Sequence, residues 1–266
     1  MRPGVQAGRD FSESTESRFE SVKRTERHHL KENELLTGIG QVMAWGSENS
    51  KNLVNALIVV VGASLLLGGL YVYRSNQAAD SQVLLADALE LFHAKVEETP
   101  SDPLGLAPSF VSNQERYEAA LESFQSVATE FAGYDAGRQA LYYSALCYAG
   151  LDDFDSAATA LSQVREGDRD LVYYLASNAL AAVRVSQEDY AAAADIYRAL
   201  VEDADTPLPK DHLLFELAKS EEQAGNLDQA KQYYQRVLAE FPDSQLRGDA
   251  TARSAAIDFR TEASGG

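Results

Sequence analysis

One cysteine, four histidines and a set of adjacent carboxylate pairs offer the side-chain types that catalysis or metal binding needs. A cysteine nucleophile needs an electropositive, partly exposed setting beside a base. Cys147 lies instead in YYSALCYAG, on the apolar face of a helical pattern between Tyr143 and Tyr148, and reads as a buried packing residue. His28 and His29 are adjacent, so they point to different helix faces and cannot chelate one metal as an i, i+4 pair would. His93 and His212 stand in no H-E-x-x-H motif, and the sequence has neither G-x-S-x-G nor the phosphate-cradling G-x-x-x-x-G-K-[ST]. Asp152/Asp153, Glu188/Asp189 and Glu202/Asp203 fall at turns or helix ends, where acidic side chains cap helices and complement the dipole. No run of spaced oxygen ligands around a glycine suggests calcium. The reading is of a non-enzymatic protein with no cofactor and no metal.

The elements around these residues explain why they are placed for packing. Leu53 to Tyr73, LVNALIVVVGASLLLGGLYVY, is uncharged, bounded by Lys51 and Arg74, and contains twelve Leu, Ile or Val among its 21 residues. As a helix it rises about 32 Å, enough for a bilayer core. A buried core helix rarely stays apolar on every face for six turns. A cleaved signal peptide does not fit either, because 52 residues precede the run and no A-x-A site follows directly behind it. The expectation is a transmembrane signal anchor over 53–73.

Charge divides the chain at the same place. Residues 1–52 carry eight Lys/Arg and eight Asp/Glu, so the net charge of −18 lies after the span. Lys23, Arg24, Arg27, Lys31 and Lys51 precede it, whereas Arg74, Lys95 and Arg116 follow. That bias predicts a cytoplasmic N-terminus and an exported C-terminal region. With one cysteine no intramolecular disulfide can form, so an exported domain must be held by its core. The acidity argues against nucleic acid, whose phosphates require clustered Lys or Arg.

Residues 1–29 are polar and poor in large apolar side chains, which predicts a disordered tail. Over 30–52, Leu35, Leu36, Ile39, Val42, Met43 and Trp45 recur at helical steps, an amphipathic juxtamembrane helix with Trp45 at headgroup level. Residues 74–114 read as a linker: a helix continuing from the span through Val96, then the proline-rich TPSDPLGLAPS.

From Tyr117 the sequence repeats. RYEAALESFQSV, DFDSAATALSQV, DYAAAADIYRAL and NLDQAKQYYQRV align so that Ala120, Ala157, Ala193 and Ala230 share a column. Tyr117, Phe154, Tyr190 and Leu227 form a second, and Phe124, Leu161, Tyr197 and Tyr234 a third, at steps of 36 or 37 residues. A period near 34–37 marks stacked helical hairpins. The alanine belongs where two helices cross, since a larger side chain would push the backbones apart. Residues 245–266 complete the chain as a capping helix, Gln245 to Arg260, and a frayed TEASGG tail.

The unit over 211–244 places Leu214, Leu217, Ala218, Gly225, Leu227, Ala230, Tyr234 and Pro242 at the spacing of a tetratricopeptide repeat, and resembles that family. It departs at Glu221 and Val237, where the motif prefers an aromatic and an alanine; the other units within 115–244 are degenerate. The fold expected is all-α: a single transmembrane helix followed by a tetratricopeptide-like α-solenoid of helical hairpins. The resemblance implies that first helices line a concave protein-binding face, and there they offer Tyr142, Tyr143, Tyr173, Tyr174, Asn178, Arg184 and Glu221. Tyr142, Tyr173, Asn178, Arg184 and Glu221 are the candidate contacts, with some tyrosines expected to pack between repeats instead.

The whole layout also resembles the bacterial ancillary subunit of the Sec translocon, a family of membrane-anchored periplasmic repeat proteins. That resemblance is architectural. It implies a scaffold at the bacterial inner membrane whose partners are translocon subunits, periplasmic chaperones or exported chains. The competing reading is a cell-envelope assembly or regulatory scaffold with other partners.

Overall fold

The structure, a computed structural model, describes residues 50–97 and 108–265. The expected tail 1–29, the juxtamembrane helix apart from residues 50–52, Trp45, and most of the proline-rich loop lie outside the described residues. The chain divides after Val72 into two compact units. Helix α1, Ser50–Phe92, runs in sequence from the first into the second. In the first unit it is apolar on all faces, and every described side chain from Val54 to Val72 is exposed. It is long and apolar enough to cross a membrane.

The second unit is built of hairpins: α2 (Asn113–Glu130), α3 (Asp135–Gly150), α4 (Phe154–Val164), α5 (Leu171–Ser186), α6 (Tyr190–Glu202), α7 (Lys210–Gln223), α8 (Leu227–Glu240) and α9 (Arg247–Gly265). Consecutive helices pack on one another from α2 to α9. The column Ala120, Ala157, Ala193 and Ala230 is fully buried, as the crossing argument requires. A matching set on the first helices, Ala88, Ala145, Ala181 and Ala218, is equally buried. In the last three units the two alanines stand twelve residues apart, but Ala88 and Ala120 are 32 apart. The end of α1 is therefore the first helix of the first hairpin, with a long insertion before its second. Leu85 and Ala88 share a core with Phe124, Val127 and Phe131, and Phe92 lies 5.6 Å from Tyr143 and 5.9 Å from Tyr117.

Two sequence expectations are corrected by the structure. The helix stops at Phe92 instead of Val96. Lys95–Val96 (β1) then pairs in parallel with Ser109–Phe110 (β2), which satisfies backbone groups of the insertion that no helix serves. The second helix of the first hairpin, α2, starts at Asn113, where the Ser112 hydroxyl accepts the Glu115 N–H at 3.1 Å and caps it. The capping helix starts at Arg247 and continues to Gly265, so TEASG is helical and not frayed. Nothing in Thr261 to Ala263 breaks a helix, and the Thr261 hydroxyl donates back to the Ile257 carbonyl at 3.1 Å.

The turns inside the last three hairpins are one structure used three times. The N–H groups of Asp153, Asp189 and Asn226 donate to the carbonyls of Tyr148, Arg184 and Glu221 at 2.9, 2.9 and 2.8 Å. This is the Schellman closure, and it forces the preceding residue into the left-handed region. Gly225 sits there at φ +87°, but the other two turns place Asp152 at +60° and Glu188 at +61°. Asp153 and Asp189 cap the next helix by accepting from Ser156 N and Ala192 N, both at 3.2 Å. The acidic pairs 152/153 and 188/189 are thus turn and cap residues.

Candidate protein-binding surface

Where hairpins stack, each first helix lies in the trough between two second helices. Among the described residues two such troughs stand open. The first, about 560 Å³, runs between α2 and α4 over α3, walled by Gln125, Thr129, Thr159 and Gln163 and floored by Ala128, Leu141 and Ala160. Small floor residues keep it open, and Gln125 Nε2 donates to the Tyr148 hydroxyl across it at 2.6 Å. The second, about 450 Å³, runs between the end of α4 and α6 over α5. Arg165, Arg169 and Tyr173 stand on one side, Glu202 and Asp203 on the other, with Ile196, Ala199 and Leu200 beneath.

The structure separates the sequence candidates. Tyr173 lines the second groove. Tyr142 and Asn178 occupy one column of the repeat with Phe215, and the two aromatic rings pack against neighbours. Tyr142 is half-buried and edge-on to Tyr143, with ring centroids 5.2 Å apart, and burial followed by that neighbour pushes its hydroxyl pKa up. Asn178 is half-buried, and its Oδ1 is shielded from solvent with no hydrogen-bond partner among the described residues. Phe215 is buried edge-on to Tyr234. Arg184 donates to Gln187 Oε1 at 3.0 Å, and Gln187 in turn donates to Asp155 Oδ1 at 2.7 Å, tying α5 to α4.

Glu221 is a correction. It is only 2 % exposed, paired with Arg198 of α6 and accepting from Asn226 Nδ2 at 2.8 Å. Where the repeat motif prefers an aromatic, an internal ion pair joins two hairpins, so Glu221 does not face a partner. Tyr174 is buried too, donating to Asp203 Oδ2 at 3.0 Å, and Tyr143 stacks on Phe124. These tyrosines pack between repeats.

One charged cluster closes the C-terminal end of the stack. Glu222 accepts from the Tyr234 hydroxyl at 2.9 Å, from Arg253 at 3.2 Å and from Arg260, locking α7, α8 and α9 together. Burial alone would raise its pKa, but these hydrogen bonds win and lower it. Asp203 is held below the usual carboxylate range by the Asp205 N–H and, beyond that, by the Tyr174 hydroxyl and Arg169, against the pull of burial. Cys147 is fully buried, and burial pushes its thiol up to about 12, so essentially no thiolate exists at neutral pH. Among the described residues no three His, Cys, Asp or Glu side chains converge as metal ligands.

Sequence reasoning missed Gln125, Gln163, Arg165 and Ile196 as groove residues. The signal was present in the period itself, which fixes where one second helix faces the next.

A tetratricopeptide-repeat family model matches residues 139–166 and 213–244, which are α3–α4 and α7–α8 with Pro242. Among the described residues the protein is thus mostly helical, with one candidate membrane helix followed by tetratricopeptide-like helical repeats. Such repeats are in general non-enzymatic scaffolds that bind other proteins. No curated protein matches the chain. Among solved structures, MamA residues 41 to the end from Desulfovibrio magneticus RS-1 is similar at 19 % identity and TM-score 0.42, over 55 % of this chain and 83 % of that one. The TPR-like repeats of a kinesin light chain candidate from Podosopora anserina give 16 % identity and TM-score 0.48, over 55 % and 79 %. The quorum sensor NprR from B. thuringiensis gives 21 % and 0.45, over 56 % of this chain and 45 % of that one.

Proposed function

We propose that this protein is a membrane-anchored scaffold at the bacterial inner membrane, with its N-terminus in the cytoplasm and its repeats in the periplasm. There it binds translocon subunits, periplasmic chaperones or exported chains and assists protein translocation. One observation carries the anchoring: α1 exposes its apolar side chains on every face through Val72, Leu66 by 77 %. Leaving such a surface in water is costly at roughly 25 cal/mol per Å², and a bilayer removes that cost. The bias of Lys and Arg toward the N-terminal side of the span supports the orientation. The repeats and their two open grooves support protein binding as the activity.

The experiment is in-cell photocrosslinking from benzoylphenylalanine placed at Thr159 or Tyr173, followed by purification in mild detergent and mass spectrometry. Translocon subunits, chaperones or exported chains crosslinked at these sites support the reading. Barrel-assembly subunits, or signalling proteins crosslinked there instead, replace it with the envelope-assembly or regulatory alternative.

A further inference from the structure

Three arginines surround the α4–α5 loop, and two of them are satisfied by the protein itself. Arg138 donates to the Asp168 carbonyl at 3.0 Å and pairs with Asp170; Arg169 pairs with Asp203. Arg165, at the C-terminal end of α4, has no carboxylate partner among the described residues, and its Nε is buried without an acceptor. Its guanidinium carbon lies 5.8 Å from the Tyr173 ring centroid, and that of Arg169 lies 5.1 Å from the same ring. The ring therefore holds two guanidinium groups at the wall of the 450 Å³ groove, one closed into an ion pair and one open. In a chain of net charge −18 carboxylates are abundant, yet none has been placed on Arg165. Glu202 lines the same groove without closing on it.

We propose that this groove receives an acidic side chain of a protein partner, its carboxylate on Arg165 and an adjacent apolar side chain over Ile196, Ala199 and Leu200. The proposal rests on the protein-binding reading above and gives that activity a site and a ligand chemistry. A planar guanidinium matches a carboxylate through paired N–H donors. The two carboxylates opposite, one of them already neutralised by Arg169, tolerate a singly charged group better than a doubly charged phosphate. The acidic body of the chain repels an extended polyanion altogether.

The test uses the full chain in detergent micelles and rhodamine-labelled peptides: acetyl-Ser-Leu-Glu-Leu-Ser-amide and its counterparts with Gln or Lys in place of Glu, titrated by fluorescence anisotropy. The Glu peptide is expected to bind about tenfold tighter than the Gln peptide, the range of one hydrogen-bonded charge. Arg165→Gln should abolish that preference, Arg165→Lys should retain part of it, and Arg247→Gln, in α9 and away from the groove, should leave it intact. Glu202→Gln, which removes repulsion and touches no packing, should tighten the Glu peptide about two- to fivefold. Equal binding of the Glu and Gln peptides, no binding of any, or a preference that survives Arg165→Gln overturns the proposal. Such a result leaves protein binding itself to the crosslinking experiment, whose readout does not depend on Arg165.

Discussion

The three equivalent turns set up an internal experiment on backbone strain. Asp152, Glu188 and Gly225 make the same Schellman closure, but only the last is free of a Cβ. A non-glycine residue in the left-handed region costs about 1–2 kcal/mol, and glycine costs roughly 0.5–1 kcal/mol more than other residues in lost unfolded-state freedom. For Glu188→Gly the balance is a gain of about 0.5–1 kcal/mol. For Asp152→Gly it is smaller, about 0–0.5 kcal/mol, because Asp tolerates this conformation by bonding locally. Gly225→Ala, with its φ of +87° and no neighbour within 4 Å of a new Cβ, loses about 0.5–1 kcal/mol, the strain less the unfolded-state entropy that alanine removes. At roughly 2–4 °C per kcal/mol for a unit of this size, thermal unfolding followed by circular dichroism at 222 nm should order the variants Glu188→Gly, Asp152→Gly, wild type, Gly225→Ala. Glu188→Gly melting below wild type would refute the reasoning, since it would mean that strain at φ +61° is not what that turn stores.

Four further outcomes are expected. Ala230→Trp overpacks a helix crossing and should cost on the order of 1–3 kcal/mol or more, read by urea unfolding; an unchanged midpoint would sink the alanine register. Gly137→Ala would set a Cβ 2.0 Å from the Phe131 carbonyl oxygen, so it should destabilise more than Gly133→Ala, whose Cβ meets nothing within 4 Å, in the same assay. Because the Glu222 carboxyl has its pKa lowered on folding, its contribution is present above about pH 4.3 and disappears as pH falls through the lower folded value. Glu222→Gln should therefore lower stability at pH 7 by about 1–3 kcal/mol and flatten the acid limb of the stability curve; an unaltered limb would show that the Arg253, Arg260 and Tyr234 bonds carry nothing. Cys147 should resist maleimide in the folded protein and react fully once unfolded; labelling at neutral pH in the native state would contradict its burial.

The repeat columns were legible in the sequence because each hairpin repeats one local packing problem. An alanine at a crossing is visible as an alanine at a fixed period, and Gly225 advertised its own turn. Glu221 was not legible. Its partner Arg198 is 23 residues away in another hairpin, so sequence periodicity could place it on a face but could not fill that face. The grooves escaped for a related reason, since each is walled by second helices of different units. The first hairpin was hidden by its long insertion, which carried Ala88 out of register with the other first-helix alanines, although its helix was expected. The parallel pair of β1 and β2 is too short to show any alternation of side chains.

The anchored, exported scaffold is tested most directly by reporter fusions. Alkaline phosphatase, active only in the periplasm, is fused after Arg260 in one strain and at Lys51 in another. The account predicts activity after Arg260 and silence at Lys51. Activity at Lys51 with silence after Arg260 would put the acidic repeats in the cytoplasm and contradict it.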